Sequence, residues 1–254
     1  MEHKRREEEI LRYLENHEFL TTEKAIKLLG DSAATVRRAF VNLARSNLVQ
    51  REHGGVRAFP KGGGNLPFSL RESWLGDEKE RLAARAMEFV PVGGVVFIHG
   101  GSTVLGLARY LRGGVIITDT IHVCEILMKR FPNGGGPEVI LPGGVFDLKS
   151  DILVGPRAEA GIRDYRADVV FFSARGMDEE GPLDTTDTHV ATARAMIRNA
   201  GMRVMLADHS KFRKFGLTRM ASWKEINVLI TSDHPDNRPW FKLIEENGVK
   251  VVLA

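Results

Sequence analysis

Beyond residue 70, short apolar runs rich in valine and isoleucine alternate with segments that have the apolar period of amphipathic helices. Continuously apolar strands are typical of parallel sheets buried on both faces, and strands alternating with helices are typical of the α/β class. This region is therefore predicted to form a Rossmann-like, mostly parallel α/β domain. The predicted strands are 95–99, 115–118, 138–141, 168–173, 202–207, 226–231 and 249–253, and the predicted helices are 77–89, 103–111, 121–130, 188–200 and 238–246.

The first 60 residues have a different pattern, in which three short helices precede a hairpin. Capping residues mark the helix ends: Thr21 or Thr22 begins the second helix, Gly30 ends it, and Ser32 begins the third. Three helices followed by a two-stranded hairpin predict a winged helix-turn-helix domain. The predicted elements are helices 3–16, 21–30 and 32–46 and a hairpin over 48–59 with its turn at His53-Gly54-Gly55.

A glycine-rich segment, KGGGNLP, separates the two patterns. Three glycines followed by a proline are typical of a linker. We therefore expect a domain over 1–60, a linker over 61–71 and a second domain over 72–254. A chain of 254 residues is long enough for two such domains.

The net charge of +3 resides in the N-terminal region, because residues 1–61 hold 12 Lys/Arg and 9 Asp/Glu and the remainder is balanced. A local positive excess favours an anionic polymer as partner, although a solvated basic face is the alternative. The single cysteine, Cys124, fits a cytoplasmic protein without disulfides. No apolar run predicts a membrane span or a signal peptide.

The third helical pattern has an apolar arc and a basic arc. Val36, Phe40 and Leu43 share one side, whereas arginines and small polar residues occupy the other. The N-terminal residues of such a helix read base edges in the major groove, and the wing meets the DNA backbone or the minor groove. A helical bundle with a solvated arginine face is the alternative. The candidate contacts to double-stranded DNA are Ser32, Thr35, Arg37, Arg38, Asn42, Arg45, Arg51, His53 and Arg57.

Residues 21–55 resemble the N-terminal domain of the DeoR family of bacterial transcription regulators. The motifs S-x-x-T-x-R-R, from Ser32 to Arg38, and R-x-H-G-G, from Arg51 to Gly55, carry this resemblance. One position differs, because the family commonly has an acidic residue where this chain has Ala39. The resemblance therefore implies that Arg38 lacks an acidic neighbour that would steady it.

The second domain contains the segment IHGGSTVLGLARYL at 98–111, which follows a predicted strand and opens a predicted helix. Backbone N–H groups at such a helix start can bind an anion, and Ser102 and Thr103 add hydroxyl donors. The segment lacks the lysine of a nucleotide-binding P-loop, so an ordinary strand–helix turn is the alternative.

Residues 72–233 resemble the DeoR-type effector domain, which is similar to ribose-5-phosphate isomerase and glucosamine-6-phosphate deaminase. The matching motifs include GGSTVLGLA, LPGG, ARGMDEEG and LADHSKF. The resemblance implies that a phosphorylated sugar or related anionic metabolite binds at the carboxyl ends of the strands. Ser102, Thr103 and Lys211 would contact the phosphate, and Asp119 and Asp178 would accept hydrogen bonds from hydroxyls. The candidate effector contacts are His99, Gly101, Ser102, Thr103, Asp119, Gly144, Asp178 and Lys211.

The proposed ligand contacts of Lys211 and Asp178 each have a purely structural alternative. Lys211 could cover a surface, and Asp178 could accept hydrogen bonds from its own turn. His99 stands where the family usually has aspartate. Together with His189 and His209, it could form a metal or pH-sensitive site, although such histidines are more often ordinary polar neighbours.

The related isomerases use a glutamate as general base, and the positions matched to the family's acidic pair hold Thr188 and His189. We therefore expect no enzyme activity, no cofactor and no metal. The sequence favours a ligand-responsive repressor that acts as a homodimer or tetramer on paired half-sites. A sugar-phosphate isomerase or deaminase fused to a DNA-binding domain, and a DNA binder with a decayed pocket, are the alternatives.

Overall fold

The computed structural model describes residues 2–45, 49–58 and 68–254. The chain divides into two compact units, Met1–Trp74 and Leu75–Ala254. Residues 61–67 of the predicted linker and Ser46 at the predicted end of the third helix lie outside the described residues.

The first unit has the helix and strand order of a winged helix-turn-helix. Its three strands form an antiparallel sheet in the order β1-β3-β2, and the hairpin turns at His53 and Gly54. The predicted helices and hairpin are present, and strand β1 was not predicted because three residues are too few to show a period. The elements are α1 (Glu2–Asn16), β1 (Phe19–Thr21), α2 (Thr22–Leu29), α3 (Ala33–Arg45), β2 (Val49–Glu52), β3 (Gly55–Ala58) and α4 (Phe68–Ser73).

The predicted capping residues are confirmed. Thr21 Oγ1 accepts a hydrogen bond from the Lys24 backbone N–H at 3.1 Å, and Gly30 ends α2 with a φ of 68°. Ser32 Oγ accepts from the Thr35 N–H at 3.3 Å, which satisfies one of the free donors at the start of α3.

The apolar arc of α3 holds the first unit together. Val36, Phe40 and Leu43 are buried in one cluster with residues of α1 and β1. Burial of one such side chain stabilises the fold by roughly 1.5–3 kcal/mol. Ala39 is also fully buried and belongs to this cluster, so it faces the core and not the exposed surface of Arg38.

The second unit is built on a seven-stranded parallel sheet in the order β15-β14-β12-β9-β4-β5-β6. All seven predicted strands are present in it. In chain order its elements are α5 (Gly76–Ala86), β4 (Val95–Ile98), β5 (Val115–Thr118), α6 (Ile121–Arg130), β6 (Glu138–Ile140), β7 (Val145–Asp147), β8 (Ile152–Val154), α7 (Pro156–Arg163), β9 (Ala167–Phe172), β10 (Gly176–Met177), β11 (Pro182–Asp184), α8 (Asp187–Arg198), β12 (Ala200–Ala207), β13 (Thr218–Arg219), β14 (Val228–Thr231), α9 (Arg238–Glu246) and β15 (Lys250–Leu253).

The predicted α-helix over 103–111 is wrong. The segment instead forms turns and a short 3₁₀ helix, Leu105–Arg109, and Gly106 lies so close to Ala83 of α5 that a Cβ there would approach within 2.8 Å. Helix α7 was missed, although the pair Gly155-Pro156 is a helix-start signal with proline at the first position.

The order of the sheet reverses between β4 and β9. The chain runs from β4 through β5 to β6 on one side, and then from β9 through β12, β14 and β15 on the other. Ligands of open α/β sheets bind outside the carboxyl ends of the strands at such a reversal. No helix in the described part of the chain is long and apolar enough to cross a membrane.

Gly55→Ala is predicted to destabilise the first unit. A Cβ at position 55 would lie 2.3 Å from the Leu20 carbonyl oxygen of the neighbouring strand, so the sheet would have to shift. Overpacking of this kind costs about 1–3 kcal/mol. Thermal unfolding followed by circular dichroism should show a lower-melting transition. The control is Gly76→Ala, whose Cβ would meet nothing within 4 Å; equal melting curves for the two variants would contradict the prediction.

Candidate functional sites

The basic arc of α3 faces solvent. Arg37, Arg38, Asn42 and Arg45 are exposed, whereas the opposite arc is buried. Within the described ranges, no carboxylate forms an ion pair with Arg37 or Arg38. These two guanidinium groups are therefore available to bind an external anion.

Two predicted hydroxyl contacts lie at the start of the same helix. Ser32 Oγ and Thr35 Oγ1 are 3.0 Å apart, so each is within hydrogen-bond distance of the other. Ser32 is exposed, and its hydroxyl retains further hydrogen-bonding capacity beyond the cap. The pair therefore lies at the N-terminal end of α3, where backbone N–H groups without intrahelical partners are also found.

The wing carries three predicted contacts with different surroundings. Arg51 and His53 are exposed. Arg57 donates to both carboxylate oxygens of Glu52, at 2.5 and 3.1 Å, and lies over the Phe19 ring. The hydrogen bond and charge of Glu52 raise the pKa of Arg57, so this arginine is held within the wing by its own partners.

In the second unit, the first residues after β4 and β5 form a buried pair. His99 Nδ1 and Asp119 Oδ2 are 2.6 Å apart, and Gly100 N–H donates to Asp119 Oδ1 at 2.6 Å. Both carboxylate oxygens are thus engaged inside the protein, whereas Asp119 was predicted to accept from a ligand. Burial opposes protonation of His99, but the charge and hydrogen bond of Asp119 prevail and raise its pKa.

The loop from Gly101 to Thr103 differs from the predicted anion site. No α-helix follows it, the Gly101 carbonyl accepts from Val104 N–H, and both hydroxyl residues are buried. Lys79 Nζ donates to Ser102 Oγ at 3.1 Å, and Thr103 Oγ1 donates to Asp208 at 3.1 Å. A helix-terminus site is therefore not formed, and the hydroxyls already have protein partners.

Asp208 joins the loop to the end of β12. It has no exposed surface, and Lys211 Nζ lies 3.8 Å from the oxygen that Thr103 contacts. Burial alone would raise the pKa of Asp208, but the positive charges of Lys211 and Lys79 hold it well below its ordinary value. Lys211 therefore faces a carboxylate, not only a prospective ligand.

Lys79 is a functional candidate that the sequence analysis missed. It is 6% exposed and lies on α5 with the buried residues Glu78, Leu82, Ala83 and Ala86. The sequence contained an indication of this, because positions 78 and 79 lie one helical turn before the apolar positions 82 and 83 and therefore on the same face of α5. Charges within an apolar stripe indicate buried partners.

Two further predicted contacts have local roles. Asp178 Oδ1 accepts from the N–H groups of Glu180 and Gly181, and Arg219 donates to Oδ2 at 2.8 Å. This arrangement matches the turn-residue alternative. Gly144 has a φ of 108° and lies against the Val154 carbonyl, so it allows a tight turn.

The three histidines lie in separate hydrogen-bonded groups. His189 Nε2 is 2.9 Å from Ser150 Oγ and 3.0 Å from Asp147 Oδ2. His209 contacts Glu78 through its backbone N–H and Nδ1, and its ring stacks on another histidine. Among the described residues, no three histidine, cysteine or carboxylate side chains are arranged to hold a metal ion.

Comparison with known proteins identifies two matched regions. Residues 6–61 match the family described as the DeoR-like helix-turn-helix domain, and residues 76–233 match the DeoR C terminal sensor domain. Three curated proteins are similar over most of their length. The glycerol-3-phosphate regulon repressor of Escherichia coli is 29% identical, over 92% of this chain and 93% of its own. The repressor GlcR of Bacillus subtilis is 28% identical, over 96% of this chain and 94% of its own length. The regulator GlpR of Haloferax volcanii is 30% identical, over 88% of this chain and 87% of its own length.

His99→Gln is predicted to reduce stability mainly at low pH. The pKa of folded His99 lies above its ordinary value of 6.5, so protonation favours the folded state. This contribution is complete below about pH 6.5 and is lost as the pH rises through the folded-state pKa. The wild-type melting temperature should exceed that of the variant by more at pH 6 than at pH 9. A difference that grows with pH, or equals that of the exposed-site control His53→Gln, would contradict this assignment.

Proposed function

This chain belongs to the DeoR family, and we propose that it is a transcriptional repressor whose operator binding is controlled by a phosphorylated sugar or related anionic metabolite. The observation that best supports DNA binding is the exposed, unpaired arginine face of α3. The relatives named above are transcriptional regulators, two of them named as repressors, which favours the same role for this chain.

In this proposal, α3 enters the major groove. Arg37 and Arg38 supply guanidinium groups that can contact guanine edges or phosphates, and Ser32 and Thr35 contact phosphates at the helix start. Asn42 and Arg45 extend the same exposed face, and Arg51 and His53 contact the DNA from the wing. Arg57 acts differently, because its pairing with Glu52 fixes the wing.

The repressor acts as a homodimer or tetramer in this proposal. Helix-turn-helix proteins commonly bind two half-sites separated by a helical turn, and each half-site requires one reader helix. A symmetric assembly supplies the second helix without a second gene product.

The effector is proposed to bind at the carboxyl ends of β4, β9 and β12. One relative is named for the glycerol-3-phosphate regulon, which favours a phosphorylated metabolite in this branch of the family. Buried cations lie near these strand ends, and the resemblance matches the acidic positions of the isomerases to Thr188 and His189, so binding without turnover is the simplest role. Control of the operator requires that the ligand bind the free and DNA-bound states with different affinity.

Arg38→Ala is predicted to weaken operator binding by about 10- to 100-fold, the equivalent of one guanidinium contact. Fluorescence anisotropy with a labelled operator at fixed ionic strength measures this change. Arg112→Ala removes an exposed arginine from the second unit and serves as the control. Equal affinities for wild type and Arg38→Ala would refute the reader-helix assignment.

Ser102→Asp is predicted to abolish the response to effector and to leave operator affinity intact. The new carboxylate would lie beside Lys79, neutralise part of its charge and repel an anionic ligand. The measurement is release of labelled operator during titration with phosphorylated metabolites, with Ser102→Ala as the neutral control. If phosphorylated metabolites release the operator from Ser102→Asp as readily as from wild type, the loop takes no part in effector binding.

A further inference from the structure

Two arginines to which no role has yet been assigned follow neighbouring strands at the carboxyl edge of the sheet. Arg175 follows β9 and Arg213 follows β12, and these strands are neighbours. The Met177 N–H donates to the Arg213 carbonyl at 2.8 Å, which joins the two loops. Gly176 allows this approach, because a Cβ there would lie 2.6 Å from the same carbonyl oxygen.

The two guanidinium groups are half-buried and lack an ion-pair partner. Burial lowers the pKa of both, and the positive charge of Arg175 lowers that of Arg213 further, although Asp184 and Asp208 act in the opposite direction. Among the described residues, no carboxylate forms an ion pair with either side chain. Arg213 Nε is also buried without a hydrogen-bond acceptor. The Arg213 guanidinium lies over the Phe215 ring, and a like charge near it is unfavourable in the absence of an anion.

A buried hydroxyl provides an independent observation. Ser173 follows β9 directly, is 9% exposed, and its Oγ has no hydrogen-bond partner among the residues that the structure describes. It borders the loop after β4, since a Cβ at Gly101 would lie 4.0 Å from Ser173 Cβ. An unsatisfied buried hydroxyl at the reversal of strand order indicates a place where a ligand supplies the partner.

The surrounding charges indicate what kind of ligand fits. Four buried or half-buried cations act on Asp184 and Asp208: the charge of Asp184 acts on Arg175, and Asp208 interacts with Lys79, Lys211 and Arg213. His99 and Asp119 form a separate pair. A phosphate monoester carries about −1.5 to −2 charges near neutral pH and offers three acceptor oxygens. Guanidinium groups match such oxyanions in geometry as well as in charge.

We propose that Arg175 and Arg213, together with Ser173 Oγ, bind the phosphate group of the effector at the carboxyl ends of β9 and β12. This assignment rests on the proposed effector-binding function. It places the phosphate beside the glycine loop and not within it, because the hydroxyls of Ser102 and Thr103 are already bonded to Lys79 and Asp208.

The proposal gives two effects of opposite sign for one substitution. Arg213→Gln removes a repelling, half-buried charge, so the ligand-free melting temperature should rise by about 1–3 °C. The same change removes a phosphate contact, so the stabilisation by inorganic phosphate should fall at least about fivefold. Arg175→Gln should behave in the same way. The exposed-site control Arg112→Gln should change neither quantity.

The experiment measures thermal unfolding of the full chain by tryptophan fluorescence, with phosphate, sulfate or acetate at matched ionic strength. Phosphate and sulfate should stabilise wild type, and acetate should not. If phosphate stabilises both glutamine variants as much as wild type, the arginine assignment is overturned, but the proposal of effector binding is not. The same conclusion follows if the ligand-free melting temperature falls and the phosphate response is kept. Equal stabilisation by acetate would overturn the phosphate assignment. If no oxyanion stabilises wild type, this inference fails together with the effector proposal, whereas the DNA-binding proposal is decided separately by the operator titration.

Discussion

Neutralisation of the fully buried Asp208 carboxylate organises the second unit. A charged group without exposed surface is strongly unfavourable unless cations and hydrogen-bond donors surround it. Thr103, Lys211 and Ser210 contact it directly, and the charge of Lys79 reaches it from α5. These groups come from α5, the loop after β4 and the segment after β12. The need to neutralise Asp208 therefore holds these three segments close together. The carboxyl edge of the sheet near the reversal of strand order therefore contains an internal carboxylate with its own protein partners.

The arginines of the two units differ in their surroundings. On α3, Arg37 and Arg38 are exposed and hydrated, so they cost the fold little and can exchange water for DNA phosphates or base edges. At the carboxyl ends of β9 and β12, Arg175 and Arg213 are half-buried, and the positive charge of Arg175 lowers the pKa of Arg213. In the proposals above, the exposed arginines bind a polymer, whereas the half-buried pair would couple stability to the binding of a small anion.

The sequence was sufficient for the features that depend on local pattern. Apolar runs predicted every strand of the seven-stranded sheet, and the caps Thr21, Gly30 and Ser32 were found because capping is a local hydrogen-bond requirement. Features that depend on distant partners were not predictable. The segment 103–111 has a helical apolar pattern, yet Gly106 packs against Ala83 and only a 3₁₀ turn forms. Likewise, the partners of Ser102 and Thr103 come from positions 79 and 208, which no sequence spacing connects.

The central claim is that the exposed face of α3 reads duplex DNA. The most direct measurement is selection of bound sequences from a random duplex pool by the full chain at moderate ionic strength. The account predicts enrichment of one motif that occurs as two related half-sites about one or two helical turns apart. Recovery of a pool no different from random competitor, with binding that depends only on salt concentration, would contradict it.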